Sequence, residues 1–217
     1  MGAPTEVSLS GAVIAHRAAN GAADIARAVA AGADVVEADV HLFRGRLEVR
    51  HGKTLGPLPR LWEKWYLLER DAPRPPLWEI LAAVPGGTGL LLDLKGPDPR
   101  LADAVLRAVA AGPAGRDIRV CGRWWRTLRH LHGAPGIQTM RSAGSRAQLR
   151  LLLRGRADVS DGVSVHRDLL TPSVVARLRE RVSDVWTWPV PNRAAAEQLA
   201  AWGVTGFITD EPARLRA

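Results

Sequence analysis

The sequence is poor in cysteine and in long apolar runs. Its 217 residues include one cysteine, Cys121, which excludes an internal disulfide framework of the kind that stabilises small secreted proteins. No segment approaches the roughly 18 uninterrupted apolar residues that a membrane-spanning helix needs. Residues 1–10 also lack a basic stretch followed by an apolar core. We therefore expect a cytoplasmic protein without a signal peptide.

Acidic residues are outnumbered by basic ones. The chain has 30 Lys and Arg against 22 Asp and Glu, which gives a net charge of +8. The basic residues are nearly all Arg and are scattered through every predicted helix, and no recognition motif accompanies them, so we expect no nucleic-acid partner. The charge is compatible with weak attraction to anionic membrane surfaces, and we infer no obligate protein partner.

The length and the apolar content favour one domain over residues 1–217, because 47% of the residues are hydrophobic. Eight apolar β-type runs alternate with amphipathic or Ala-rich helical stretches. This alternation predicts parallel strands with right-handed crossovers, and eight of them favour closure into a TIM barrel, with an open doubly wound sheet as the alternative. The predicted strands end near Arg17, His41, Lys95, Arg123, Arg141, His166, Trp188 and Asp210.

The interval between the second and third barrel strands is unusually long. Leu47 to His51 predicts a short strand after an Arg44-Gly45 turn, so the second strand is expected to extend into a hairpin that brings His51 back towards the strand end. Residues 52–76 follow and are rich in Pro, Trp and Arg, with no firm periodicity. We predict that this segment is a loop at the barrel mouth.

Carboxylates occur at the ends of two neighbouring predicted strands. Glu37 and Asp39 have the i, i+2 spacing that places both side chains on one side of a strand, and Asp93 and Lys95 share a side for the same reason. Hard divalent cations prefer carboxylate oxygens. The acids therefore predict a site for one Mg²⁺ or Ca²⁺ held by Glu37, Asp39 and Asp93.

Two histidines accompany these acids, His16 at the end of the first strand and His51 at the end of the hairpin. Imidazole titrates near neutrality, so one histidine can take a proton from an attacking hydroxyl while the other gives one to a leaving alkoxide. Arg17 and Lys95 can hold phosphate oxygens. Because barrel enzymes place their sites at the carboxyl ends of the strands, the set predicts a phosphodiester-cleaving site.

These motifs resemble the glycerophosphodiester phosphodiesterase family. The resemblance implies a TIM barrel, one divalent metal, catalytic histidines at His16 and His51, and hydrolysis of glycerophosphodiesters to an alcohol and glycerol phosphate, with a cyclic phosphate as a candidate intermediate. The segments that carry it are His16-Arg17, Glu37 to Val40, His51, Asp93 to Lys95, Val185 to Trp188 and Gly203 to Pro212.

Three departures from the family pattern leave other functions open. Gly52 follows His51 where the family has Asp, Asp93 replaces a Glu, and Ala18 to Asp24 replaces a longer Pro-Glu-Asn-Thr helix start. The first two resemble phospholipase D toxins of the same fold, so a phosphotransferase acting on choline phospholipids or lysophospholipids is one alternative. The shortened first loop and the His51-Gly52 pair together suggest another, an inactive barrel that serves as a binding protein.

Two further side chains at predicted strand ends are candidates for substrate binding, His166 and Trp188. If the leaving group is choline, the aromatic face of Trp188 would favour its quaternary ammonium. Trp186 shares that face and is expected in the barrel core. His41 shares the face of Glu37 and lies further out, so we expect it to be a solvated loop histidine.

Overall fold

The computed structural model describes residues 9–217 except 56–57, 64, 69–71 and 156–159. The strands in these ranges are β1 (Ala12–Ala15), β2 (Val35–Phe43), β3 (Arg46–Val49), β4 (Lys53–Leu55), β5 (Leu58–Glu63), β6 (Tyr66–Leu67), β7 (Gly89–Leu94), β8 (Ile118–Gly122), β9 (Ile137–Ala143), β10 (Gly162–His166), β11 (Asp184–Trp188) and β12 (Gly206–Thr209). The helices are α1 (Ala22–Ala30), α2 (Leu77–Ala83), α3 (Pro99–Ala111), α4 (Trp125–Leu128), α5 (Arg146–Arg154), α6 (Pro172–Arg179), α7 (Arg193–Ala201) and α8 (Ala213–Arg216).

Eight of the described strands form a closed parallel barrel. Around the ring they run β1, β12, β11, β10, β9, β8, β7 and β2, and β2 pairs with β1 again through Ile14 opposite Val35. The predicted TIM barrel is confirmed. The open doubly wound alternative is wrong, because the pairing of β1 with β2 leaves no open edge in the ring.

Helices follow most barrel strands and begin at recognisable caps. Asp98 accepts a hydrogen bond from the Arg100 backbone N–H at 2.9 Å with Pro99 at the first helical position of α3, and Thr171 Oγ1 caps α6 by accepting from Val174 N at 3.3 Å. Among the described residues, no helix combines the length and apolar character needed to cross a bilayer.

The core has one layer inside the barrel and another between the strands and the helices. Trp186 is almost completely buried inside the barrel, as the sequence predicts. The outer layer contains apolar side chains such as Leu92 and Phe207, which pack under the helices. Large residues therefore fill much of the barrel interior, as in other barrels of this kind.

The predicted hairpin after the second strand is confirmed. β3 runs antiparallel to β2 with Phe43 opposite Arg46, so Arg44 and Gly45 form a two-residue turn. Their φ angles of 50° and 79° are the left-handed pair that such a turn requires. Beyond β3, the Arg50 backbone N–H donates to the Asp39 carbonyl at 2.9 Å. This contact returns the chain to the carboxyl end of β2, directly before His51.

Residues 52–76, predicted to be a loop, contain a small sheet in their described part. The prediction of a loop without regular structure is therefore wrong for this part. β4, β5 and β6 pair antiparallel in that order. Strands of 3, 6 and 2 residues are too short to establish a clear alternation, and prolines interrupt the pattern. Residues 56–57, 64 and 69–71 of this segment lie outside the described residues.

Candidate active site

The three predicted acids meet at the carboxyl end of the barrel. Asp39 on β2 and Asp93 on β7 are direct register partners on neighbouring parallel strands, and Glu37 lies two residues before Asp39 on the same side. One ligand oxygen from each of the three lies within 4.8 Å of the others. Glu37 and Asp39 are buried and Asp93 is partly buried. The structure therefore brings together all three acids that the spacing selected.

Burial and mutual repulsion make this cluster unfavourable without a compensating positive charge. Burial raises the pKa of the Glu37 carboxyl well above its usual value, and the charges of Asp39 and Asp93 raise it further. Burial also raises the pKa of Asp93, although Lys95 opposes this effect. Ionising several buried carboxylates together is unfavourable because burial and mutual repulsion both oppose it. A bound cation favours their ionised forms by neutralising their charge.

Lys95 supplies part of that positive charge. Its ammonium lies 2.6 Å from Asp39 Oδ1 and also pairs with Asp93. Burial would lower the pKa of Lys95, but Asp93 and Asp39 outweigh it and raise the pKa above its usual value. Burial by itself would raise the pKa of Asp39. The hydrogen bond from His51 and the charge of Lys95 outweigh burial and hold the pKa of Asp39 well below its usual range. Asp39 and Lys95 are therefore a charged pair at neutral pH.

Asn20 holds Asp39 in place, and the sequence did not identify it. Asn20 Nδ2 donates to Asp39 Oδ2 at 2.9 Å, and Asn20 Oδ1 accepts from the Asp39 backbone N–H at 2.8 Å. The residue lies in the shortened loop after β1, where the family's Pro-Glu-Asn-Thr segment is missing. A lone Asn in an Ala-rich loop was the available signal, since such a residue contributes little to packing.

Arg17 adopts a strained backbone that serves the site. Its φ of 57° lies in the left-handed region, which is uncommon for a residue with a side chain. This conformation aims the Arg17 backbone N–H at Glu37 Oε2, 2.6 Å away. The guanidinium meanwhile reaches His51, with Nη2 2.8 Å from Nε2. One residue thus orients a carboxylate through its backbone and contacts a histidine through its side chain.

The two predicted catalytic histidines each face a carboxylate. His51 Nδ1 lies 3.1 Å from Asp39 Oδ2. His16 follows β1, and its Nδ1 lies 2.7 Å from Asp210 Oδ1, just beyond β12. Asp210 was expected only as part of the closing turn, because its contact with His16 arises from the pairing of the first and last strands of the ring. Each histidine therefore has a carboxylate at Nδ1, and His51 in addition has the Arg17 guanidinium at Nε2.

No protein-family model matches the sequence, and no curated protein matches it either. The fold does have close structural neighbours. A protein from Silicibacter pomeroyi, provisionally named a glycerophosphoryl diester phosphodiesterase, has a TM-score of 0.77 and 20% identity over 96% of this chain and 92% of that chain. A phosphodiesterase from Oleispira antarctica, solved with the product sn-glycerol-3-phosphate, has a TM-score of 0.74 and 19% sequence identity over 96% of each chain. A glycerophosphodiester phosphodiesterase from Thermotoga maritima has a TM-score of 0.71 and 19% sequence identity over 94% of this chain and 96% of that chain.

This chain has the glycerophosphodiester phosphodiesterase fold. The likeness covers nearly the whole of each chain, which agrees with the extent of the motif resemblance in the sequence. A fold of this kind can carry different chemistries, so the activity has to be argued from the side chains at the open end of the barrel.

The glycine after His51 has a local packing reason within this phosphodiesterase fold. A Cβ on Gly52 would lie 2.7 Å from Leu68 Cδ1 and 3.3 Å from Leu61 Cβ, so the small sheet closes directly over this residue. The same sheet carries Glu63 at the end of β5, whose Oε1 lies 3.4 Å from His51 Nε2 and 3.8 Å from Arg17 Nη1. Sequence reasoning missed Glu63, because nothing local links it to His51.

The two candidate substrate-binding residues of the phosphodiesterase fold lie on the other side of the mouth. His166 and Trp188 end β10 and β11 in register with one another, with ring centroids 4.7 Å apart and nearly perpendicular. His166 Nδ1 accepts from the Asp168 backbone N–H at 3.3 Å. Within the described residues neither side chain forms a hydrogen bond or ion pair with the acidic cluster.

Cys121 and His41 lie near the charged cluster and are both neutral at pH 7. Burial, with the charges of Asp93 and Glu37, raises the pKa of the Cys121 thiol, so it is a neutral neighbour of Asp93. His41 was expected to be solvated, and this is wrong: it lies within β2 and is largely covered. Burial and the nearby Arg50 lower the pKa of His41 to about 3. It is therefore neutral and unsuited to acid–base exchange near pH 7.

The acidic residues fit one divalent cation. The donors are carboxylate oxygens, which hard cations prefer. One oxygen from each of Glu37, Asp39 and Asp93 lies within 4.8 Å of the others. Lys95 offsets only part of their charge, and the raised pKa values of Glu37 and Asp93 show that a further positive charge would favour their ionised forms.

Proposed function

We propose that this chain is a metal-dependent phosphodiesterase that cleaves glycerophosphodiesters to an alcohol and glycerol phosphate. One observation carries the proposal: His51 is hydrogen-bonded to Asp39, a member of the three-carboxylate cluster, while His16 lies at the end of the adjacent strand. An acid–base pair next to a cation site can supply the proton transfers and the charge neutralisation that favour phosphodiester cleavage at neutral pH. The shared fold with phosphodiesterases supports the same conclusion.

Glu37, Asp39 and Asp93 would hold the cation. Bound there, Mg²⁺ or Ca²⁺ would supply positive charge that offsets the negative charge of the phosphate group. Asn20 fixes the rotamer of Asp39, and the Arg17 backbone fixes Glu37, so two of the three ligands are oriented before any ion arrives.

His16 and His51 exchange protons with the substrate through Nε2. Asp210 and Asp39 accept from the Nδ1–H groups, which sets the tautomer and orients each ring. One histidine removes the proton of the attacking hydroxyl, and the other protonates the leaving alkoxide. If the nucleophile is a hydroxyl of the substrate glycerol, the first product is a cyclic phosphate, which water opens with the two roles reversed.

Arg17 and Lys95 bind the phosphate group. The Arg17 guanidinium donates to His51 Nε2 in the absence of substrate. A phosphate group at the barrel mouth offers the Arg17 guanidinium a stronger, charge-assisted partner. When the guanidinium moves from His51 to the phosphate, His51 Nε2 becomes free to act as a base. Lys95 lies between Asp39 and Asp93 and offsets charge on the carboxylates and on the phosphate.

The substrate is a small molecule in this proposal. The related phosphodiesterase from Oleispira antarctica was solved with sn-glycerol-3-phosphate, a small product of this chemistry. The phospholipase D-like alternative rested partly on Gly52, and the contact of Gly52 with Leu61 and Leu68 explains this residue without reference to choline lipids. The inactive-barrel alternative is disfavoured because each residue with a chemical role is present.

Release of glycerol phosphate from glycerophosphoglycerol, measured with EDTA and then with added Mg²⁺ or Ca²⁺, tests the proposal. We expect turnover with metal and none with EDTA, and mass analysis of early products distinguishes glycerol phosphate from a cyclic phosphate. Undiminished turnover in EDTA would remove the metal from the mechanism. Absence of cleavage with every metal and diester would favour the binding-protein alternative.

A further inference from the structure

Trp188, at the end of β11, contacts two side chains from other strand ends. The guanidinium carbon of Arg123 lies 5.4 Å from the centroid of the Trp188 ring, and His166 meets the ring edge-on. Gly144, just after β9, makes room for this arrangement, since a Cβ there would lie 3.1 Å from Arg123 Nη2 and 3.4 Å from Trp188 Cη2. Arg123 therefore reaches from the end of β8 past β9 to β11, along one side of the mouth.

The strand register places Arg123 two residues beyond the level of Asp93 on the neighbouring strand. Cys121 is the register partner of Asp93 on the neighbouring strand, and Arg123 follows two residues later, on the same side by strand alternation. It therefore lies at the mouth one strand away from Lys95. Lys95 is neutralised by two carboxylates, whereas among the described residues Arg123 forms no ion pair with a carboxylate.

A cavity of about 560 Å³ adjoins Arg123. Its walls include apolar surface from Pro97 and Trp124, and its basic lining residues are Arg123, Arg126 and His130. No Asp or Glu lines it within the part of the chain that the structure describes. The cavity is large enough for an alcohol such as a phosphorylated sugar or polyol, and its charge is positive.

The two sides of the acidic cluster leave unequal room for a leaving group. On the side of β1 and β2, the small sheet brings Glu63 within 3.4 Å of His51 and 3.8 Å of Arg17, which closes that side. On the side of β8, the cavity begins at Arg123. Asp98, which lies between two lining prolines, is engaged by Arg100 at 2.8 Å. Arg123 lines the cavity and also stacks on Trp188, so a leaving alcohol that extends towards β8 meets positive charge.

We propose that Arg123 and the adjoining cavity bind the leaving alcohol of the diester and select an alcohol that carries an acidic group such as a phosphate. This rests on the phosphodiesterase function proposed above. The aromatic face that a quaternary ammonium would seek on Trp188 is already covered by the guanidinium, and the two cations repel one another. An anion can instead accept hydrogen bonds from the guanidinium fork while Arg123 stays stacked on Trp188.

Three glycerophosphodiesters with choline, glycerol and inositol 4-phosphate as leaving alcohols form a series from cationic through neutral to anionic. For the wild-type protein we expect kcat/KM to rise in that order. Arg123→Gln removes the charge and keeps a shorter polar side chain with an amide donor. The ratio of the inositol 4-phosphate rate to the choline rate should then fall about fivefold or more, with the neutral glycerol diester changing least.

Arg129→Gln is a matched control for this change. Arg129 is exposed at the end of α4, six residues from Arg123, and lies outside the cavity lining. The variant loses the same charge and should keep the wild-type ranking. Added salt should reduce the difference in kcat/KM between the inositol 4-phosphate and choline diesters in the wild-type protein towards the difference in Arg123→Gln, because screening weakens exposed charge interactions.

Calorimetric titration with free inositol 4-phosphate and free choline separates this inference from the proposed function. We expect inositol 4-phosphate to bind the wild-type protein more tightly than choline and to lose that advantage in Arg123→Gln. If no diester is cleaved, the proposed function fails, while these titrations still test the cavity. If diesters are cleaved but the wild type prefers choline, or Arg123→Gln leaves the ratio within about twofold, the role assigned to Arg123 is overturned.

Discussion

His51 donates from Nδ1 to Oδ2 of Asp39 across 3.1 Å. Asp39 is at the same time one of the three carboxylates that can hold a metal ion. The hydrogen bond therefore joins the candidate cation site to the candidate acid–base group through a single buried side chain. A substitution at Asp39 is expected to affect metal affinity and proton transfer together, whereas substitutions at Glu37 and His51 should separate them.

Glu37→Gln should stabilise the metal-free protein and abolish its response to metal. The pKa of Glu37 is raised, so its contribution to stability is fully present below the unfolded pKa and is lost as pH rises through the folded pKa. At pH 7 the neutral Gln amide avoids the loss of stability that comes from ionising Glu37. Its side-chain oxygen can still accept a hydrogen bond from the Arg17 backbone N–H. Thermal unfolding in EDTA and with Mg²⁺ or Ca²⁺ measures both effects.

Asp39→Asn is the contrasting variant, because the pKa of Asp39 is lowered. A lowered pKa contributes stability above the unfolded pKa that is lost as pH falls through the folded pKa. The variant should therefore be less stable than wild type at pH 7 and should also lose its metal response. A lower melting temperature for metal-free Glu37→Gln than for wild type at pH 7 would contradict the assigned direction of the Glu37 pKa.

His16→Ala and His51→Ala should each reduce kcat with little change in metal binding. General acid–base groups typically contribute about 10² to 10⁴ in rate, and both histidines are at least partly exposed, so the fold should tolerate their loss. The double variant should be little worse than the poorer single variant, since the two groups act in one step. A single variant that keeps more than about a tenth of the wild-type rate would not have lost an acid or base.

Asp210→Asn should reduce kcat by less than His16→Ala does. The amide can still contact His16 Nδ1, but it no longer offers the charge that favours the imidazolium form during turnover. Glu211→Gln is the control, because this neighbouring carboxylate pairs with Arg214 and does not contact His16. Equal losses in the two variants would point to a general surface-charge effect.

Gly52→Ala should displace the small sheet and His51 together. The added Cβ would approach Leu68 Cδ1 and Leu61 Cβ too closely, and overpacking of this kind costs about 1 to 3 kcal/mol. Activity should fall, while the barrel should keep its circular dichroism spectrum. Gly86→Ala is a matched control, since nothing lies within 4 Å of a Cβ at that position. Wild-type rates in Gly52→Ala would show that the contact with the sheet does not position His51.

The acidic cluster, the hairpin and the barrel were predictable from the sequence because each depends on local order. Alternation along a strand fixes the side on which Glu37 and Asp39 lie, whatever the neighbouring strand is. The eightfold recurrence of strand and helix, with right-handed crossovers, then brings the carboxyl ends of all strands to one end of the barrel. Asp93 could be assigned to the same cluster on that basis alone.

The partners of these residues were decided only by the tertiary structure. Asp210 meets His16 because β12 closes against β1, and Glu63 meets His51 because a sheet of very short strands folds back over Gly52. Arg123 meets Trp188 because Gly144 leaves space between their strands. Each contact joins residues far apart in sequence, and a chain with 30 basic residues offers many equivalent partners until ring closure and side-chain volume select one.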